Sequence, residues 1–98
     1  MELFIFARFH AQVGREAEVA AAIAESVRHT RKEDGCLLIE GYASIRDARL
    51  FYIHSRFRDE DAFELHATLP HVVKFLATVE PIIDHPLDVT RARPLYLA

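Results

Sequence analysis

Residues 2–10 form a largely apolar run in which neither set of alternate residues is suited to full exposure to water. The run is short and rich in aromatic residues, which favours a β-strand over a helix. Alternate side chains of a strand point to opposite faces, so one face is wholly apolar and the other is half aromatic and half charged or titratable. The two faces are Leu3, Ile5, Ala7, Phe9 and Phe4, Phe6, Arg8, His10. A sheet that contains this strand therefore needs cover on both sides.

An amphipathic helix follows the first strand, beginning near Gly14. Apolar residues then repeat with a helical period, as in Val19, Ile23 and Val27. Acidic residues come early and basic residues come late, which complements the helix dipole. Gly35 is predicted to end this helix.

The rest of the chain predicts a hairpin, two short helices and a final strand. The hairpin joins residues 36–43 to residues 50–58; Asp59 caps a helix through about Leu69, Pro70 begins another that Pro81 stops, and residues 87–97 form a strand with Pro94 near its end. The length of 98 residues is too short for two ordinary domains, so we expect one domain, 1–98. The order β-α-β-β-α-β predicts an α+β fold, a ferredoxin-like antiparallel sheet with helices on one face.

Helices on one face leave the other face of the sheet without cover. In this topology the first and third strands are antiparallel neighbours, and one register keeps their mixed faces together. Its pairs are Phe4 with Arg56, Phe6 with His54, and Arg8 with Tyr52. Such an aromatic surface would face water unless another molecule covers it. We therefore expect a homodimer that packs sheet against sheet.

The net charge and the cysteine content indicate which classes of partner and which cellular compartment to expect. Twelve basic against fifteen acidic residues give a net charge of -3 with no Lys/Arg block, so neither nucleic acid nor a membrane surface is an expected partner. The apolar start carries Glu2 and Arg8, shows no signal-peptide features and is far shorter than the roughly 20 residues of a membrane span. The single cysteine, Cys36, forms no intrachain disulfide, which favours a reducing cytoplasm.

Several short motifs together resemble those of the antibiotic biosynthesis monooxygenase-like proteins. The matching residues are Glu33-Asp34-Gly35-Cys36-Leu37 after the long helix, then Phe57, Ala62 and His66, and then Pro70-His71 and Phe75. The resemblance covers nearly the whole chain. It implies a homodimeric α+β barrel with a small-molecule cavity between helices and sheet in each subunit. For some members it also implies oxidation of quinols or polyphenols by dioxygen with no metal, haem or flavin cofactor.

The sequence departs from the characterised oxygenases of this family at two positions. Those enzymes commonly use an Asn on the first strand and a Trp at the end of the third, and this chain contains neither residue type. The corresponding positions are Ala7 and Phe57, so the resemblance does not predict haem degradation. The helix histidine of the family pattern is present as His66.

The resemblance predicts an apolar cavity with one candidate catalytic group, and such pockets usually hold small aromatic molecules. His66 follows Phe63 by three residues on the same side of a helix, so it can face the sheet and act as a general base on a bound quinol. His71 is included among the binding residues, with a solvated or helix-capping role as its alternative. The predicted substrate-binding residues are Ala7, Phe51, Ile53, Phe57, Phe63, His71 and Phe75.

Other interpretations stay open. A structural, hydrogen-bonded role is the alternative for His66. His66 and His71 lack the i, i+4 spacing of a helical metal-binding pair and a proline separates them, so no metal ion is expected. The missing Asn and Trp favour a non-catalytic small-molecule binding or interaction module of the same fold, and isomerase or decarboxylase chemistry in the same cavity is a further alternative.

Overall fold

The computed structural model describes residues 1–96, which form one four-stranded sheet, three α-helices and a short 3-10 helix. The bounds in chain order are β1 Leu3–His10, α1 Glu16–Thr30, β2 Cys36–Ala43, β3 Leu50–Phe57, α2 Glu60–Thr68, α3 Pro70–Val79, the 3-10 helix Glu80–Ile82 and β4 Asp88–Ala92. The predicted order of elements is confirmed. No helix within the described range is long and apolar enough to cross a bilayer.

The sheet is antiparallel throughout, with strand order β2-β3-β1-β4. At its centre β1 pairs with β3, where Phe6 lies opposite His54 and Arg8 lies opposite Tyr52. This is the predicted register, and it places the mixed faces of the two strands on the same side of the sheet. The arrangement is the predicted ferredoxin-like α+β fold.

The two faces of the sheet differ in burial. On the helix-covered face Phe9 and Phe57 are 1% exposed, and Val19 of α1 packs there with no exposed surface. On the opposite face Phe6 is 49% exposed and Tyr52 is 38% exposed. The hydrophobic core of the chain therefore lies on one side of the sheet, as the alternation along β1 predicts.

Helix α1 ends earlier than the sequence indicates. Its last residue is Thr30, and a turn of residues 31–35 leads into β2. The prediction that Gly35 ends the helix is therefore wrong. Glycine is required there for a different reason, because a Cβ atom at position 35 would lie 2.6 Å from the Cβ of Ala62 on α2. The turn and α2 pack against each other at this point.

Helices α2 and α3 are separated by one residue, Leu69. The predicted cap of α2 is confirmed, since the Asp59 carboxylate accepts a hydrogen bond from the backbone N–H of Ala62 at 2.8 Å. Leu69 has φ -69° and ψ 144°, because the residue before a proline avoids the helical region. The break brings the rings of His66 and His71, on different helices, to a centroid distance of 6.0 Å.

Strand β4 is shorter than the predicted strand 87–97. It runs from Asp88 to Ala92 and pairs with β1 at the edge of the sheet. Pro94 lies beyond the end of the strand, consistent with a residue that has no N–H to donate to a ladder. The predicted end at Leu97 lies outside the described residues.

Candidate functional site

A cavity of about 130 Å³ lies between the sheet and the helices that cover it. Its wall is formed by side chains from all three α-helices, from the strands and from the segment that leads into β4. The lining is apolar except at Ser26, Ser55 and His66. A concave apolar space with a few polar groups is the usual form of a small-molecule site.

The predicted binding residues divide between this cavity and its surroundings. Phe57 lies behind the wall, with its ring centroid 4.9 Å from that of His66. Phe51 lines a groove beside α1 and β2, and His71 lines a groove between α1 and α3. The predicted residues that line the cavity are Ala7, Ile53, Phe63 and Phe75, together with His66.

Beside the cavity, one carboxylate contacts two imidazole rings. Both carboxylate oxygens of Glu33 lie 3.0 Å from Nδ1 of His66, and Oε2 lies 2.7 Å from Nε2 of His71. The exposed fractions of the Glu33, His66 and His71 side chains are 15%, 12% and 21%. The turn after α1, the end of α2 and the start of α3 supply one residue each. These three residues are called the site cluster below.

Glu33 fixes the tautomer of His66. A carboxylate only accepts hydrogen bonds, so Nδ1 of His66 carries the proton and Nε2 is left as an acceptor. Burial lowers the pKa of His66 below the ordinary 6.5, and the hydrogen bond and charge of Glu33 oppose this shift without overcoming it. His66 is therefore a neutral base near pH 7, held in one tautomer at the wall of the cavity.

His71 contacts Glu33 and not the cavity. Its Nε2 donates to the carboxylate, while its Nδ1 is buried and has no hydrogen-bond partner among residues 1–96. On the side of the groove between α1 and α3, the ring of His29 stacks on that of His71 with a centroid distance of 5.4 Å. Because His71 donates to Oε2, it restrains the carboxylate that orients His66.

Comparison with known proteins identifies the family. The sequence profile of the antibiotic biosynthesis monooxygenases matches residues 3–78. The chain belongs to this family. A curated relative, "Putative monooxygenase Rv0793" of Mycobacterium tuberculosis, is 29% identical over 91 residues, which are 93% of this chain and 89% of that protein.

Solved structures agree with this assignment. The structure of Rv0793 superposes with a TM-score of 0.92 at 26% identity, covering 100% of this chain and 99% of that one. PA3566 from Pseudomonas aeruginosa superposes with a TM-score of 0.90 at 24% identity, covering 97% of this chain and 95% of that one. The second match shows the shared fold alone. The resemblance stated from the sequence motifs is thereby confirmed.

Within this antibiotic biosynthesis monooxygenase domain, the two departures from the family pattern lie near His66. Ala7, at the position matched to the family Asn, lines the cavity. Phe57, at the position matched to the family Trp, packs against the His66 ring. The cavity therefore has neither an amide nor an indole N–H at these positions, and its polar side chains are His66, Ser26 and Ser55.

The site cluster also contains metal-ligand types, with three ligand atoms within 4.8 Å of one another. The spacing of His66 and His71 in the sequence did not predict this cluster, because the break at Leu69 brings two histidines from different helices together. The 2.7 Å between His71 Nε2 and Glu33 Oε2 is a hydrogen-bond distance. Two ligands of one tetrahedral zinc ion lie about 3.3 Å apart, given metal–nitrogen and metal–oxygen bonds near 2.0 Å. Glu33 thus accepts a hydrogen bond from each histidine.

Three polar side chains at this site, Glu33, Ser26 and Ser55, were not predicted from the sequence, and neither were several apolar residues of the cavity wall. Glu33 begins one of the family-like motifs, yet its position in a turn gave no reason to pair it with a histidine far along the chain. Ser26 interrupts the apolar face of α1, and Ser55 interrupts the apolar alternation of β3. A buried polar residue in an apolar pattern is the signal that could have found both serines.

Proposed function

We propose that this protein is a monooxygenase that oxidises a small aromatic quinol with dioxygen in the cavity beside His66. The observation that supports it is the hydrogen bond from His66 Nδ1 to the largely buried Glu33 carboxylate. This bond leaves Nε2 of a neutral ring available at the wall of an apolar cavity. A positioned base of this kind is what abstraction of a quinol proton needs near pH 7.

The proposed reaction begins when Nε2 of His66 takes a proton from a quinol hydroxyl. The quinol anion passes one electron to dioxygen, and the semiquinone and superoxide then combine to form a C–O bond. The His66 imidazolium returns its proton to the peroxide anion, and loss of water from the resulting hydroperoxide breaks the O–O bond and leaves a carbonyl on the ring. One hydroquinone and one dioxygen thus give one hydroxyquinone and one water. The apolar wall excludes water and protects the radical pair.

The substrate is its own reductant in this scheme, because the quinol supplies all four electrons that dioxygen accepts. One oxygen atom enters the product and the other leaves as water. The proposed reaction therefore uses no metal, haem or flavin cofactor. His66 acts only on the proton, and Glu33 stabilises the imidazolium that forms for as long as the proton is held.

We also propose that the protein acts as a homodimer in a reducing cytoplasm, where Cys36 stays a thiol. The open face of the sheet supports the dimer, since Phe6, Tyr42 and Tyr52 are 49%, 53% and 38% exposed there. Sedimentation should show a dimer at micromolar concentration for the wild type and a monomer for Phe6→Asp. A well-folded wild-type monomer at that concentration would contradict this proposal.

Dioxygen uptake with a panel of hydroquinones tests the oxidation. Wild-type protein should consume dioxygen, and His66→Ala should lower the rate on the order of 10²- to 10⁴-fold, the usual contribution of a general base. His85→Gln is a control, because His85 is an exposed histidine bonded to Asp84 and does not line the cavity. No uptake by wild type with any member of the panel, or equal rates for His66→Ala and wild type, would sink the proposal.

A non-catalytic binding module is the second candidate. The absence of Asn and Trp from the sequence supports it, because other family members commonly use these residues in oxidation. Thermal-shift measurements with the same panel separate the two candidates. Both candidates gain thermal stability when a ligand binds, but only the monooxygenase consumes dioxygen.

A further inference from the structure

Two serines occupy core positions on opposite sides of the cavity. Ser26 of α1 is 7% exposed and Ser55 of β3 is 3% exposed, and both line the cavity wall. One comes from a covering helix and the other from the sheet below it. The space between the two layers is therefore bordered by a serine on each side, and Ser26 also lines the groove between α1 and α3.

The neighbours of both serines are apolar. In the sheet, Ser55 lies between Ile5 of β1 and Ile39 of β2, its partners in the two ladders. On α1, Ser26 follows Ile23 by one turn on the buried face. Burial of a hydroxyl in such surroundings is costly without a partner, and an apolar residue would pack better at either position. A hydroxyl has one donor and two acceptor sites, so it can bind a ligand oxygen even while donating to the protein.

The cavity volume sets the size of the part of an occupant that lies between the helices and the sheet. Its 130 Å³ is close to the roughly 150 Å³ of a dry apolar cavity that binds benzene. One six-membered ring fits a space of this size, and a second fused ring exceeds it. The Phe63 and Phe75 side chains on the wall suit the faces and edges of such a ring.

We propose that the substrate is a single-ring compound with two oxygen substituents, and that Ser26 and Ser55 are the residues that select it. Each serine binds one oxygen substituent from its own side of the cavity. The ring lies against the apolar wall within reach of His66, which also lines the cavity. This inference rests on the proposed function, which places a quinol in the cavity. It adds the size of that quinol and the two serines that bind its oxygen atoms.

The test is a binding titration in the absence of dioxygen. Binding is measured by calorimetry or by changes in the NMR chemical shifts of the protein. The probes are 1,4-hydroquinone and 1,4-dihydroxynaphthalene, which differ by one fused ring. Hydroquinone should bind the wild type, and Ser26→Ala and Ser55→Ala should each weaken it about fivefold, as expected for one lost hydrogen bond. Dihydroxynaphthalene should neither bind in the cavity nor compete with hydroquinone.

Thr30→Val is the matched control. Thr30 lies one turn after Ser26 on α1, has no exposed surface, and does not line the cavity, so removal of its hydroxyl should leave hydroquinone affinity unchanged. Ser55→Val, which adds volume inside the cavity, should abolish binding. Circular dichroism and thermal melting establish that each variant is folded. Binding of the fused-ring probe as tight as that of hydroquinone, or unchanged affinity in both alanine variants, would overturn the inference.

The titration separates this inference from the proposed oxidation, because it needs no turnover. Selective, serine-dependent binding with no dioxygen uptake leaves the inference standing and removes the monooxygenase activity. Dioxygen uptake with fused-ring quinols but not with hydroquinone has the opposite meaning, since it keeps the activity and overturns the size limit.

Discussion

Two groups of histidines and carboxylates in this fold differ in which kind of side chain is shared. The site cluster shares one carboxylate between two imidazoles. A second group, called the loop cluster here, places one imidazole between two carboxylates. Its members are His10 at the end of β1, Asp47 in the β2–β3 turn, and Asp84 and His85 before β4.

The loop cluster holds His10 as a cation. Its Nδ1 lies 2.6 Å from Asp84 Oδ1 and its Nε2 lies 3.1 Å from Asp47 Oδ2, so both nitrogens carry a proton. The hydrogen bond to Asp84 is the main reason that the pKa of His10 is raised above 6.5. Hydrogen bonds from His10 and His85 lower the pKa of Asp84 to about 2.

The difference shows how the same residue types give a base or a fixed ion pair. In the site cluster burial outweighs the single shared carboxylate, and the pKa of His66 falls. In the loop cluster two carboxylates outweigh desolvation, and the pKa of His10 rises. Only the first arrangement leaves an unprotonated nitrogen near pH 7 for chemistry.

After loss of His66 itself, the largest expected effect is that of Glu33→Gln on hydroquinone oxidation. The amide has no charge and can donate as well as accept, so it no longer fixes the His66 tautomer or stabilises the imidazolium. Turnover should fall on the order of 10²-fold or more, by analogy with loss of the carboxylate that orients a catalytic histidine. Asp34→Asn is the matched control, since its carboxylate is fully exposed next to Glu33 in sequence. Equal turnover in the two variants would remove the special role of Glu33.

A smaller expected effect is a difference between the titration midpoints of His66 and His10. NMR titration of the ring resonances should give His66 a midpoint below 6.5 and His10 a midpoint above 6.5. Since the proposed base acts when neutral, the acid limb of the rate profile should also lie below pH 6.5. His66→Gln and His10→Gln assign the two curves. A His66 midpoint above that of His10 would reverse the comparison.

The loop cluster should affect the pH dependence of thermal stability. The raised pKa of His10 gives a contribution that is complete below pH 6.5 and is lost as pH rises through the folded-state pKa. The lowered pKa of Asp84 gives one that is complete above pH 3.8 and is lost as pH falls towards 2. His10→Gln should therefore lower Tm by a few degrees at pH 5 and by less at pH 9. An equal loss of Tm at both values would refute this assignment.

The smallest expected effect is that of a metal chelator on turnover and on thermal stability. Both clusters contain metal-ligand types, yet their short contacts are hydrogen bonds between the side chains. Dialysis against EDTA should leave hydroquinone oxidation and Tm unchanged, and subsequent Zn²⁺ or Fe²⁺ should not raise the rate. Activity that disappears with EDTA and returns with one of these ions would show a metal enzyme in place of the proposed cofactor-independent one.

The sequence predicted those parts of the fold that depend on local periodicity. Alternation along β1 determined its buried face, and the polarity of the two faces determined which side chains of β1 and β3 share a face, as Phe6 and His54 do. The end of α1 was missed, because the need for glycine at position 35 comes from a contact with Ala62 on another helix. Local patterns do not record such contacts.

The candidate site was less predictable for the same reason. His66 was found from its helix position and from the family-like motif. Its partner Glu33 lies 33 residues earlier, and a turn residue gives no periodic signal for so distant a contact. Ser26 and Ser55 were visible as polar residues in apolar patterns, but the gap between them exists only once α1 lies on the sheet.

The glycine at position 35 also sets the spacing of acid and base. Gly35 and Ala62, two of the smallest residues, allow the segment behind Glu33 to touch the helix that carries His66. The 3.0 Å distance between the Glu33 carboxylate and the His66 ring is thus held by a contact two residues from Glu33 and four residues from His66. A methyl group added at position 35 would push the turn away from α2. The His66 ring would then lose its fixed position, although no atom of Glu33 or His66 had been changed.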